Sequence, residues 1–240
     1  MTFQKINQKI KKKKANNIVN IIYIVDISEF HDCPEKEKHA WIDDAMQRVS
    51  DDRRIKADVI KLEDEKIKSL ISGLLIQYAW NEYSHDKLPE ILTGNHGKPY
   101  FKDGGLAFSL SHSGDFVCLA VSEYSVGCDI QKYVRVHVDI AGRFFHEEEK
   151  QVLEETMESH EYEQIFFDLW SLKESYIKYT GQGMSQGLDT FSMVPALSGK
   201  CDDSSGFTAI VYDDIDGYSL STVCASTDRF GIKRLDVNQL

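Results

Sequence analysis

The chain has 240 residues and a formal net charge of −11, from 28 Lys and Arg against 39 Asp and Glu. That length accommodates one large domain or two small ones. The acidic balance argues against general nucleic-acid binding but leaves room for an anionic small ligand at a local group of lysines. Five cysteines, Cys33, Cys118, Cys128, Cys201 and Cys224, are scattered and odd in number, with no C-x-x-C pair. This argues against a zinc cluster or disulfide framework and reads as reduced thiols of a cytoplasmic protein.

Residues 1–16 read as a basic, flexible leader carrying Lys11 to Lys14. The apolar run 18–25 is interrupted by Asn20 and stops at Asp26 without a small-residue cleavage site. It reads as a first β-strand rather than a signal peptide, and no stretch is long enough to span a membrane. Residues 41–50 follow as a short helix. Between about 63 and 83, Ile67, Leu70, Ile71, Leu74, Leu75 and Tyr78 recur at helical spacing. Around that helix lie Arg53, Arg54, Lys56, Lys61, Lys66 and Lys68, the densest basic region outside the leader; taken alone they read as a solvated face.

Gly94 and Gly97-Lys98-Pro99-Tyr100-Phe101 mark a turn into a short strand. Residues 106–110 and 116–121 are apolar strands, which makes 111–115 the polar tip of a hairpin. A strand at 127–131 comes next, then a helix beginning near 145–148. A long helix containing 170–178 stops at Gly181-Gln182-Gly183, where glycine suits a helix C-terminus. Strands at 207–212 and 218–225 complete the pattern. Each half thus runs strand, helices, closing pair of strands. With a boundary near Glu123 the expected subdomains are 17–123 and 124–240, closely packed because no low-complexity linker separates them.

The long helix carries the chemistry. Trp170, Lys173, Glu174, Ile177 and Lys178 share one side, and Ile165, Leu169, Leu172 and Tyr176 make the opposite flank apolar too. A helix apolar nearly all round is buried, where charges are costly unless paired or bound to a metal or ligand. Glu174 and its lysines therefore form a structural ion pair or line a site. On the 127–131 strand, Asp129 and Gln131 project to one face by the period of two. An acid followed by a second oxygen donor suits a hard cation such as magnesium, and Glu174 offers a second carboxylate. Lys98, held by the restricted backbone before Pro99, offers an ammonium to a phosphate. Ser111 and His112 either meet a phosphate or base, or satisfy their own turn. There is no His-Glu-x-x-His pair, no Walker loop and no Rossmann fingerprint.

In order along the chain stand Gly97-Lys98-Pro99, Phe108-Ser109-Leu110-Ser111-His112-Ser113, Gly127-Cys128-Asp129-Ile130, Arg143-Phe144-Phe145, Trp170-Ser171-Leu172-Lys173-Glu174-Ser175-Tyr176-Ile177-Lys178 and Gly181-Gln182-Gly183-Met184-Ser185. With these motifs nearly the whole chain resembles the 4′-phosphopantetheinyl transferases of the surfactin-synthetase-activating type. The resemblance implies an α+β protein of two similar subdomains related by a pseudo-twofold axis. Each would be a small antiparallel sheet packed with helices, with a ligand cleft between them. It implies transfer of 4′-phosphopantetheine from coenzyme A to a serine of an apo acyl or peptidyl carrier protein, leaving adenosine 3′,5′-bisphosphate.

Carried over by position, Asp129 and Glu174 match magnesium ligands, with Gln131 beside them where many relatives carry Glu. Glu174 is also placed to take the serine proton, and Lys178 to neutralise pyrophosphate. Arg53, Lys56, Lys68, Ser69, Lys98, Ser111, His112 and Lys173 match residues on the nucleotide and phosphates. A cytoplasmic monomer follows, with coenzyme A and the carrier as partners and neither nucleic acid nor membrane. The alternative is a module that binds coenzyme A or a carrier with weak or no transfer; only the neutral Gln131 favours it.

Overall fold

The computed structural model describes residues 19–84, 86–136, 139–197 and 206–240. The leader at 1–16 and Cys201 lie outside them. The first strand, β1 (Asn20–Asp26), is buried on both faces, which is why its sequence is a continuous apolar run rather than an alternation. Tyr23 and Val25 pack under helix α3 (Glu63–Tyr83), preceded by α1 (Glu35–Arg48) and α2 (Asp51–Asp58). Ile22 and Ile24, on the other face, join a second apolar cluster with Cys118, Ala120, Cys128 and Ile130.

After α3 come β2 (Ile91–Thr93) and β3 (Pro99–Phe101), which pair with each other in a two-stranded sheet, then β4 (Ala107–Ser113) and β5 (Phe116–Ser122). The second half contains β6 (Val126–Lys132), α4 (Asp139–Phe144), α5 (Glu147–Thr156), α6 (Tyr162–Thr180), α7 (Val194–Leu197), β7 (Thr208–Tyr212) and β8 (Tyr218–Cys224). The sheets run β4-β5-β1 and β7-β8-β6. In each, a hairpin's second strand pairs antiparallel with the strand that opened the half. The same strand–helix–hairpin unit therefore occurs twice, and the expected α+β architecture of two similar subdomains holds.

Four local features depart from the sequence expectation. Helix α1 starts at Glu35, not near residue 41. The basic run at 51–58 is itself a helix, its first turn capped by Ser50 accepting from the Arg53 N–H. β4 extends to Ser113, so Ser111 and His112 are strand residues and the turn is Gly114-Asp115, with Gly114 at φ +52°. A last strand, β9 (Gly231–Leu235), leaves the second half and pairs parallel with β1. A division near Glu123 therefore does not follow the sheets to the end of the chain. Only Leu235 of β9 is buried, and Lys233 and Arg234 occupy its middle, so it offers no apolar alternation to read. Among the described residues no helix is long and apolar enough to cross a membrane.

Candidate active site at the seam between the halves

β4 and β6 belong to different sheets but run side by side. Alternating serines join them. The Oγ atoms of Ser109, Ser111 and Ser113 accept from the backbone N–H groups of Cys128 (2.9 Å), Ile130 (3.3 Å) and Lys132 (3.0 Å). Period two puts all three hydroxyls on one edge, where they stand in for the carbonyls that a neighbouring strand would supply. The carbonyls of β6 meet lysines. Lys178 Nζ donates to Cys128 O at 3.0 Å and to Leu110 O at 3.3 Å. Lys98 Nζ donates to Val126 O and to Tyr179 O, both at 3.1 Å.

Asp129 sits in this seam, 2% exposed. Its Oδ1 accepts from Ser111 Oγ (2.6 Å) and Lys178 Nζ (2.7 Å), and its Oδ2 from Gln131 Nε2 (2.8 Å). Burial alone would lower the Lys178 pKa, but the charge and hydrogen bond of Asp129 outweigh it and raise it above the ordinary lysine value. One helical turn before Lys178 lies Glu174. Burial first, and then the negative charge of Asp129, raise its carboxyl above the ordinary value, with Lys178 opposing. No hydrogen bond or ion pair from a described residue reaches that carboxyl.

Glu174 thus lies in the field of both Asp129 and Lys178 without pairing with either, and its carboxyl resists ionising. That donor set fits a hard divalent cation: two carboxylates from facing elements, with the Gln131 amide oxygen as a neutral neighbour.

The first half adds a basic wall. Lys68 of α3 is buried, with Nζ 2.8 Å from Glu65 Oε1, and His112 Nδ1 lies 4.0 Å from Glu65 Oε2. Burial lowers the His112 pKa; Lys68 and Lys178 push it the same way, against Glu65 and Asp129. Lys68, His112, Asp129 and Lys178 therefore lie within one electrostatic neighbourhood. Arg53 is half-buried on α2, its stem so close to α3 that a Cβ at Gly73 would lie 2.8 Å from Arg53 Cγ. Ser69 is half-buried beside Lys68, and Lys56 is exposed.

Curated relatives match this chain over most of its length. The 4′-phosphopantetheinyl transferase psf-1 of Bacillus pumilus is 34% identical over 161 residues, 66% of this chain and 69% of its own. The gsp transferase of Aneurinibacillus migulanus is 32% identical over 72% of this chain and 76% of its own. Sfp of Bacillus subtilis is 30% identical over 76% and 85%. The profile of the 4′-phosphopantetheinyl transferase superfamily matches residues 125–220. The chain belongs to that superfamily.

Within this phosphopantetheinyl transferase, two expected ligand residues take other roles. Lys173, expected on the cofactor, is 1% exposed and turned away from the seam. Its Nζ is 2.5 Å from Glu149 Oε2 and 2.6 Å from Phe191 O, and lies over the Phe191 ring at 4.3 Å. Glu149 also accepts from the N–H groups of His146 and Met193. The buried pair therefore ties α5 and the 191–193 segment to α6, and its desolvation leaves no surface for a phosphate. Lys98, expected to face a phosphate, instead clips the seam; burial lowers its pKa to about 8. Beside it opens a pocket of about 240 Å³ lined by Pro99, Phe108, Leu110, Ile177 and Lys178. It has the apolar walls and few fixed polar groups of an organic-ligand site. The sequence reading missed Glu65 and the bridging role of Ser109, Ser111 and Ser113, although their Ser-x-Ser-x-Ser spacing carried the signal for the latter.

Proposed function

We propose that this transferase moves 4′-phosphopantetheine from coenzyme A to a serine of an apo acyl or peptidyl carrier protein, with magnesium at Asp129 and Glu174 and Gln131 at its margin. The observation that carries the reading is the seam itself, where Glu174 and the buried Asp129 stand beside Lys178, with Lys68 and His112 of the first half in the same neighbourhood. The carrier serine oxygen forms a bond to the β-phosphorus of coenzyme A. The bond from that phosphorus to the adenosine 3′,5′-bisphosphate oxygen breaks, and the bisphosphate leaves.

Glu174 receives the serine proton, a task helped by a carboxyl pKa that burial and Asp129 raise above its ordinary value. Lys178 offsets charge growing on the leaving oxygen, and Asp129 holds that ammonium in place. Lys68, Ser69 and His112 hold the nucleotide phosphates, with Arg53 and Lys56 from α2, while Ser111, expected among them, is committed to Asp129 and the Ile130 N–H. When bound, magnesium supplies Lewis-acid polarisation and a template for pyrophosphate oxygens. Such displacements gain mainly from positioning and charge stabilisation.

Exposed Ile140 and Phe144, one turn apart on α4 with exposed Arg143 beside them, offer the carrier an apolar patch with a cation at its edge. Phe144 packs edge-on against Trp170 at 5.8 Å, one turn from Glu174. Cys118 and Cys128 are free thiols with sulfurs 3.6 Å apart, which supports a reducing, cytoplasmic setting. One chain supplies both walls of the cleft, which supports a monomer.

The test incubates purified protein with apo carrier, a fluorescent coenzyme A and magnesium. A label on the carrier serine is expected. Well-folded protein that labels none of several carriers overturns the reading and leaves the binding module.

A further inference from the structure

β6 and β8 turn one face toward α6. β6 contributes Gly127, Asp129 and Gln131 to that face; β8 contributes Ser221 opposite Asp129 and Ser219 opposite Gln131. The helix meets them with Ser171 and Ser175, one turn apart. Ser171 and Ser219 hydroxyls lie 2.8 Å apart, Ser175 and Ser221 hydroxyls 2.9 Å, and all four residues are fully buried. At Gly127 the approach is backbone on backbone. A Cβ there would lie 1.9 Å from Ser175 O and 2.5 Å from Tyr179 N. No rotamer relieves a clash with main-chain atoms, so any side chain at 127 lifts the helix.

That contact sits where the chemistry is assembled. Asp129 follows Gly127 by two residues on the same strand face, and Lys178, which reaches Asp129 at 2.7 Å, lies in the turn that touches Gly127. Glu174 precedes Ser175. The height of α6 above β6 at Gly127 thus sets how far Glu174 and Lys178 stand from Asp129.

We propose that Gly127 and the small Ser175 above it are positioning residues that seat α6 on β6 closely enough for Asp129 and Glu174 to share one cation. This rests on the two-carboxylate reading given under the proposed function. Neither residue touches the reacting atoms; each acts by leaving out bulk.

The experiment measures Mn²⁺ binding by calorimetry alongside carrier-labelling kinetics. Wild-type protein is expected to bind one Mn²⁺, lost in Glu174→Gln. Gly127→Ala is expected to weaken Mn²⁺ at least tenfold and to lower kcat by about a hundredfold, as for a misplacement on the order of 1 Å. KM for coenzyme A should change little, because Lys68 and His112 belong to the first half. Ser175→Thr keeps the hydroxyl but adds a methyl group to the contact, and is expected to shift both quantities the same way. Ser175→Ala removes the hydroxyl bonds without adding bulk; it should lower Tm yet keep wild-type Mn²⁺ affinity.

If Gly127→Ala does not fold, Ser175→Thr decides. Wild-type Mn²⁺ affinity in folded Gly127→Ala or Ser175→Thr overturns the proposal, as does a wild type that binds no Mn²⁺. Equal losses in Ser175→Ala and Ser175→Thr overturn it too, by placing the effect on stability. A wild type that binds Mn²⁺ through Glu174 but labels no carrier sinks the transfer reading and leaves the positioning argument standing.

Discussion

Glu174 is the residue whose charge the fold opposes. Burial and Asp129 raise its carboxyl above the ordinary 4.5. A group that holds its proton more tightly when folded stabilises the fold at low pH and loses that contribution as pH rises through its folded pKa. Metal-free Glu174→Gln is therefore expected to melt higher than wild type at pH 7, by roughly 2–4 °C for each kcal/mol relieved. Its stability profile should also be flatter above pH 4.5, while transfer is abolished. Thermal melts across pH check this; parallel profiles for the two proteins would refute it.

Lys173, its neighbour, makes the opposite case. Lys173→Met strands a buried Glu149 carboxylate, so a loss of about 3–5 kcal/mol is expected, with coenzyme A affinity of the remaining folded protein unchanged. Denaturant titration and calorimetry separate the two effects. Asp129, Glu174 and Lys178 were legible in the sequence because charges on a buried strand face and a buried helix demand a reason. Lys173 was not, because adjacent helix positions point about 100° apart. Which of the two meets the cleft is decided by α5, through Glu149, rather than by the helix.

Among the elements, β4 is where sequence pattern and structure diverge most usefully. Ser111-His112-Ser113 is polar enough to read as part of a turn, yet Ser111 and Ser113, like Ser109 before them, are strand residues serving a neighbour from the other half. The strand β6 was legible because its apolar alternation is intact. Its partner across the seam was not, because hydroxyl-mediated pairing leaves no apolar trace. Ser109→Ala is expected to leave the buried Cys128 N–H without its acceptor, costing about 1–3 kcal/mol. The Cys128 amide should then exchange hydrogen faster than its neighbours in β8. Unchanged protection of that amide would mean that the hydroxyl is dispensable to the seam.

For the whole molecule, the doubled strand–helix–hairpin unit was legible as an order of elements, but the way the units depend on each other was not. The first sheet is completed by β9, which arrives from the second half and pairs with β1. Lys233 of that strand binds Glu82 at 2.7 Å, at the end of α3. On the other edge of the same sheet, β4 spends its serines on β6. Ile22 and Ile24 share their cluster with Cys128, Ile130 and Leu220 of the second half. A fragment of residues 17–123 would therefore expose an unpaired β1 edge and one whole apolar face of its sheet, a combination that favours aggregation over independent folding. It is expected to show no cooperative melting transition alone, and to regain one when residues 124–240 are supplied in trans. Circular dichroism melts of each fragment and of their mixture decide the matter. A cooperatively folded 17–123 fragment would mean that the halves are separable domains and that the seam is only a contact between them.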